Sequence, residues 1–267
     1  MLRGKFRTAG FSRQTGSHTL IYFLPFHRLR MGYNLTMLEL IIKPRCVHCK
    51  SQKDIRFGLC PDCLNAVQQY SASSRCRNCG LIIRGEGSIC QRCLEGRDIF
   101  DQAFFLFPYE KEGRTLIHHI KFRDRLEWLN ILNGAEIVWR PVLENWSADA
   151  VAWIPSSLHT RWVRGYNVSR EMANKVAKAL DIPCLPLLKR AHLFKRRLSA
   201  TRTPGERKQV IRQFLKGPET VPEGIFHILI VDDVFTTGAT VNRAAKLLKQ
   251  AGGVAKVSVF TLARVCE

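Results

Sequence analysis

The chain has 267 residues, 46% of them hydrophobic, and carries 42 Lys+Arg against 22 Asp+Glu for a formal charge of +20. That length suits one large domain or two small ones. No stretch approaches the roughly 20 uninterrupted apolar residues of a membrane-spanning helix; the nearest, LIYFLPF at 20–26, is short and holds a proline. A soluble, cytoplasmic protein is expected, and the basic excess favours phosphate-bearing partners without choosing among nucleotides, nucleic acids and anionic membrane surfaces.

Residues 1–36 contain Arg3, Lys5, Arg7, Arg13, Arg28 and Arg30, no acid and no periodic pattern. They lack the small-residue cleavage site of a secretory signal. The segment reads as a disordered extension, or as translated sequence upstream of a start at Met31 or Met37.

Eight of the ten cysteines form four C-x-x-C pairs: Cys46 and Cys49, Cys60 and Cys63, Cys76 and Cys79, Cys90 and Cys93. Ten residues separate the pairs within each half, and the second half repeats the first at an offset of 30. Each C-x-x-C turn presents two thiolates from one tight knuckle, and two facing knuckles make the tetrahedral sulfur cage that zinc prefers. Disulfides would need an oxidising compartment that nothing here implies, and the spacing suits zinc better than an iron–sulfur cluster. All-cysteine ligation leaves no open position, so the zinc is expected to be structural, contributing about 10–16 kcal/mol to a module without a core of its own. The spacing leaves two pairings open: each half closing its own site, or interleaved halves with Cys46, Cys49, Cys76 and Cys79 around one ion. Cys184 and Cys266 read as ordinary thiols.

After Cys93, AFFLFPYE (103–110) predicts a strand, and the next segment a helix with Leu116, Ile117 and Ile120 on its apolar side. A further helix is expected over much of 125–144. AVAWIP (150–155) predicts a buried strand broken by proline. Val168, Met172, Val176 and Leu180 then mark a helix ending before Pro183. Residues 187–216 hold ten Lys/Arg against the single Glu206 and read either as a solvated loop or as a phosphate-seeking flap.

The last forty residues are the clearest. IFHILIVDD predicts a strand covered on both faces, TVNRAAKLLKQAGG a helix with Val241, Ala244, Ala245 and Leu248 on one side, and VAKVSVFTLAR a second strand. A strand–loop–helix–strand unit over 226–263 is the signature of a parallel sheet. Ligands bind such units beyond the carboxyl ends of the strands, which is where Asp232 and Asp233 fall. The TTGAT loop behind them offers N–H groups and the Thr236, Thr237 and Thr240 hydroxyls at a helix N-terminus, a cradle for one phosphate. The carboxylates would repel that phosphate and suit sugar hydroxyls or a bridging cation. An ATPase reading fails for want of a GxxxxGK[ST] loop, and a phosphoacceptor domain would need more chain after Asp233.

ILIVDDVFTTGAT resembles the 5-phosphoribosyl-1-pyrophosphate motif of type I phosphoribosyltransferases. Together with CVHC, CPDC, CRNC, CQRC, LIHHIKF and IPSSLHTRWVRGYN, it makes residues 38–265 resemble the ComF family of competence-related proteins. The resemblance implies an α/β fold: a type I phosphoribosyltransferase-like parallel sheet flanked by helices over 100–267, preceded by a cysteine-rich double zinc ribbon over 38–97. It implies Asp232 and Asp233 as catalytic groups on the ribose hydroxyls and Thr236, Thr237, Gly238, Ala239 and Thr240 on the 5-phosphate. Ser156, Arg161 and Arg164 would lie at the pyrophosphate, Mg²⁺ would bridge pyrophosphate and sugar, and basic residues of 187–216 would form a hood. The chain departs from the family pattern at Val168, where glutamine is common, at Ala239, where Ser or Thr is, and around 195–209.

Two functions follow as expectations. One is a ComF-like, phosphoribosyltransferase-like protein of DNA uptake that binds 5-phosphoribosyl-1-pyrophosphate and, if active, is a glycosyltransferase that moves phosphoribosyl to an amine or base nitrogen. The other is a non-catalytic accessory protein of DNA uptake that binds single-stranded DNA and DNA-uptake proteins and keeps the pocket for a ligand or a DNA end.

Overall fold

Runs of Val, Ile, Leu, Phe and Ala become the strands β1 (Gln102–Pro108) and β2 (Ala150–Trp153), followed by β3 (Lys189–Arg190) and β4 (Leu215–Lys216), which pair antiparallel in a separate two-stranded sheet, then β5 (His227–Phe235) and β6 (Lys256–Arg264). The computed structural model describes residues 45–56, 58–69, 74–83, 87–96, 98–122, 129–156, 165–190 and 215–266. The basic segment expected over 1–36, the predicted site residues Arg161 and Arg164, and the centre of the 187–216 segment lie outside them.

The main sheet has the order β1-β6-β5-β2 and every neighbouring pair is parallel. Parallel strands need crossovers that cover both faces, so their residues are apolar without polar alternation. In β5 the two-residue period sends Leu229 and Val231 into one core and Ile228 and Ile230 into the other. Among the described residues the helices are α1 (Pro61–Gln69), α2 (Gln91–Leu94), α3 (Lys111–Phe122), α4 (Ile131–Gly134), α5 (Glu136–Glu144), α6 (Val168–Leu180) and α7 (Ala239–Gln250). Leu116, Ile117 and Ile120 of α3, Trp139 and Leu143 of α5 and Met172 and Val176 of α6 fill the first core. Val241, Ala244, Ala245 and Leu248 of α7 fill the second, the four positions that the sequence marks.

One expected helix differs. The segment predicted as a helix over much of 125–144 is instead, within its described part, α4 and α5 with a turn at Ala135 between them. The Trp139 indole N–H donates to the Leu132 carbonyl at 2.8 Å, an acceptor that a continuous helix offers to the Glu136 N–H, and Gly134 weakens the helix at the break.

The cysteine-rich segment straddles strand β1. Cys46, Val47, Leu59, Cys60 and Cys63 pack into the first core, whereas Cys76, Cys79 and Phe100 pack into the second. The second half also lies along the edge of β1 that β6 leaves unpaired. The Ala103 N–H donates to the Asn78 carbonyl at 2.7 Å, and Arg75 Nη1 donates to the Phe105 carbonyl at 2.7 Å. Gly80, with φ +71°, makes this approach possible: a Cβ there would sit 2.6 Å from the Ala103 carbonyl oxygen. An edge that would otherwise template pairing with another chain is thereby covered.

Candidate functional site

The cysteine pairing is resolved. Cys46, Cys49, Cys60 and Cys63 form one cluster and Cys76, Cys79, Cys90 and Cys93 the other, with the sulfurs of each within 4.8 Å of one another. Each half therefore closes its own cage. The Cys49–Cys60 and Cys79–Cys90 sulfurs lie 3.5 Å apart, close to the ~3.8 Å expected between ligands on a tetrahedral zinc with Zn–S bonds of about 2.3 Å. Burial raises the Cys46 and Cys76 thiols, but backbone hydrogen bonds outweigh it and bring them down to about 6 and about 7. Burial and neighbouring thiols push Cys63 and Cys93 up instead. Four crowded thiols cannot all ionise without a cation, and zinc supplies the charge that lets them. The donor sets fit two structural zinc ions.

The second site forms where β5 outruns β2. The last β2 pairing joins Trp153 to Val231, and β5 continues to Phe235 paired with β6 alone, so Asp232 and Asp233 stand beside a gap on the β2 side. They line a cavity of about 220 Å³ with Ser156, Asn167, Val168, Ser169, Arg190 and Thr240. Asp232 Oδ1 accepts from Ser169 Oγ at 2.8 Å and from the Asp233 N–H at 2.9 Å. Burial, then the charge of Asp233, raises the Asp232 carboxyl to about 7. Asp233 Oδ1 pairs with Lys121 Nζ of α3 at 2.8 Å.

The loop after the carboxylates turns through Gly238, whose φ of +74° puts it at the start of α7. Thr236, Thr237 and Thr240 are exposed and Gly238 is buried. A Cβ at Gly238 would come within 2.6 Å of the Phe235 ring and 2.7 Å of Arg92 Nη2, so no other residue fits unchanged. Opposite, Asn167 caps α6 by accepting from the Arg170 N–H at 3.4 Å and donates to the Ile154 carbonyl at 3.3 Å. Tyr166 donates to the Ile120 carbonyl at 2.7 Å, tying this loop to α3.

Of the residues singled out in the sequence, Asp232, Asp233, Ser156 and Thr240 line one cavity. Ser156 Oγ is buried there without a hydrogen-bond partner among the described residues. Thr237 and Ala239 line an adjoining groove of about 550 Å³ with Arg92, Arg243 and Lys246, while Thr236 is exposed on the same loop. Lys121, Ser169 and Arg190 were not singled out as site residues. Lys121 does fall in LIHHIKF and Arg190 in the basic segment, but no spacing rule ties either to a carboxylate far along the chain. Burial lowers the Arg190 pKa while the charge of Asp232 opposes the shift.

Residues 37–94 match the double zinc ribbon domain. The chain is 28% identical over 231 residues to the Haemophilus influenzae protein named Competence protein F, covering 82% of this chain and 96% of that one. It is 30% identical over 218 residues to the Salmonella typhimurium protein named DNA utilization protein YhgH, covering 78% of this chain and 91% of that one. The chain belongs to the competence protein F and YhgH family. A further relative, the Streptococcus pneumoniae protein named Competence protein ComFC, is 27% identical over 210 residues and covers 77% of this chain and 80% of that one. Among solved structures, a Bacillus subtilis glutamine phosphoribosylpyrophosphate amidotransferase complexed with ADP and GMP superposes with a TM-score of 0.30 and 26% identity over 43% of this chain and 22% of that one. A Pyrococcus horikoshii purine phosphoribosyltransferase gives 0.29 and 16% over 51% and 83%. In this member of the competence protein F and YhgH family, Val168 is buried at the start of α6 and forms an apolar part of the cavity wall. None of the helices formed by the described residues is long and apolar enough to cross a membrane.

Proposed function

We propose that the cavity beside Asp232 and Asp233 binds 5-phosphoribosyl-1-pyrophosphate, and that the protein is a cytoplasmic phosphoribosyltransferase-like component of DNA uptake or utilization. The observation that carries this reading is the junction of two unlike halves: a carboxylate pair at the end of β5, and directly after it a glycine turn at the N-terminus of α7. The loop Thr236–Thr240 takes the 5-phosphate, Asp232 and Asp233 face the ribose hydroxyls, and Ser156 with Arg161 and Arg164 meets the pyrophosphate. The domain division is 38–97 for the zinc ribbon and 100–267 for the sugar-phosphate domain. The names of the relatives supply the cellular setting.

The donor set suits Mg²⁺, which binds through one or two carboxylates plus substrate phosphates and keeps several waters. Asp232 and Asp233 would hold it, and when bound it supplies charge neutralisation at the departing pyrophosphate. The chain's own groups do the rest. Lys121 and Arg190 balance the two carboxylates before the ligand arrives, and Ser169 orients Asp232. As the sugar gains oxocarbenium character, the carboxylates offset its positive charge, and a nitrogen nucleophile takes the anomeric carbon as pyrophosphate leaves.

The second reading, a single-stranded-DNA-binding accessory protein without turnover, is favoured by the formal charge of +20 and by the basic groove of Arg92, Arg243 and Lys246. The two separate experimentally. Release of pyrophosphate is followed with candidate amines, and single-stranded DNA binding is measured across salt on the same zinc-loaded protein. Asp232→Asn and Asp233→Asn should abolish pyrophosphate release and leave DNA affinity, with its steep salt dependence, unchanged. Absence of pyrophosphate release from the unmodified protein with every acceptor, alongside tight DNA binding, favours the accessory role. Loss of DNA binding in both variants contradicts the division of the two functions.

A further inference from the structure

The second zinc knuckle and the phosphate loop meet through one side chain. Arg92 lies between Cys90 and Cys93, so its backbone is part of the turn that presents two of the four sulfurs. Its Nη2 donates to the Thr237 carbonyl at 3.1 Å. The fork is held from the other side by Asp98, with Nε to Oδ2 at 3.1 Å and Nη2 to Oδ1 at 2.7 Å. The same Asp98 accepts from Asn242 Nδ2 of α7 at 2.8 Å, and Asn242 Oδ1 accepts from the Ile99 N–H at 2.7 Å. The guanidinium also stands 5.5 Å from the Phe235 ring centroid, and Arg264 lies over the same ring at 4.3 Å.

A trans peptide fixes its C=O and N–H in opposite directions. Holding the Thr237 carbonyl against Arg92 therefore turns the Gly238 N–H away from the zinc knuckle. The close approach needs a glycine at 238, since a Cβ would meet Arg92 Nη2 at 2.7 Å. A flexible loop would have to order these peptide planes on binding, at an entropic cost; one already pinned does not.

From this we infer that Arg92 is a positioning residue for the phosphate loop, so that the second zinc knuckle sets the sugar-phosphate affinity through the peptide planes of the loop with which Arg92 shares a groove. The inference rests on the phosphate-loop reading above for its ligand, but not for its geometry. The test compares zinc-loaded wild type with Arg92→Ala and Asp98→Asn, the latter leaving the knuckle sequence intact. Three quantities are read: zinc content, amide hydrogen exchange along 236–240 against that in β6, and the Kd for 5-phosphoribosyl-1-pyrophosphate with Mg²⁺. In Arg92→Ala, exchange along 236–240 should rise and affinity fall on the order of 10-fold, the loss expected for one hydrogen bond to a charged group. Asp98→Asn should give a smaller change of the same sign. Zinc content and β6 exchange should not move in either variant. Unchanged loop exchange in both variants overturns the inference, and so does exchange that rises throughout the sheet, which would mark Arg92 as merely structural. If the wild type binds no sugar pyrophosphate, the ligand assignment falls, and loop exchange alone decides whether Arg92 positions the loop.

Discussion

At the scale of single residues, Asp232 joins structure to chemistry. Its carboxyl is raised to about 7 by burial and by the charge of Asp233, so ionising it opposes folding. Below about pH 4 it is protonated in both folded and unfolded chains and costs nothing; the stability held there is lost as pH rises through about 7. Asp232→Asn should therefore raise the thermal midpoint at pH 8 by about 2–4 °C for each kcal/mol relieved, and leave it nearly unchanged at about pH 3, below the unfolded-chain value. Thermal melts at the two pH values check this. In the same range the pocket should gain affinity for Mg²⁺ and sugar pyrophosphate as pH rises, because the charged form is the one that attracts a cation and accepts hydroxyl protons. An Asp232→Asn protein should lose that slope in a calorimetric pH series. The acids were legible because they interrupt an apolar run within one short stretch. Their partners were not: Ser169 lies 63 positions from Asp232, and only the packing of α6 against β5, and of α3 against β1 and β6, brings Ser169 and Lys121 to them.

Among elements, the β5–loop–α7–β6 unit was readable because its periodicities are local, and α7 buries the residues marked for it. The α4–α5 break was not, because a side-chain hydrogen bond from Trp139 competes with the helix there. The loop and the α6 cap carry distinct expectations. Gly238→Ala forces a side chain into a positive-φ turn against Phe235 and Arg92, and should cost about 1–3 kcal/mol together with ligand binding. Asn167→Ala removes the α6 cap and should cost about 1 kcal/mol, with a weaker effect on affinity through the loop that Tyr166 anchors. Urea unfolding of both variants, paired with binding measurements, separates the two. Equal stability losses with intact binding in Gly238→Ala would remove the loop from the site.

For the whole molecule, the two cysteine cages are not appendages. One packs into each core of the sheet, and the second covers the edge of β1. Sequence spacing revealed the cages but not this straddling, since the contacts join residues far apart along the chain and depend on strand order. Chelation should therefore dismantle more than the ribbon: the near-ultraviolet circular dichroism of the sheet domain should fall with zinc loss, in a single cooperative step. A metal-free chain that keeps its sheet-domain spectrum and melts at the same temperature would contradict the shared cores.

The central claim is that the carboxylate pair and the loop behind it form one sugar-pyrophosphate pocket. Isothermal titration of the zinc-loaded protein with 5-phosphoribosyl-1-pyrophosphate in Mg²⁺ at pH 8 tests it most directly. The account predicts saturable binding at one site per chain, abolished when Asp232 and Asp233 are both changed to Asn in a protein that remains folded. No binding by the folded wild type, or undiminished binding by the doubly substituted protein, would contradict it.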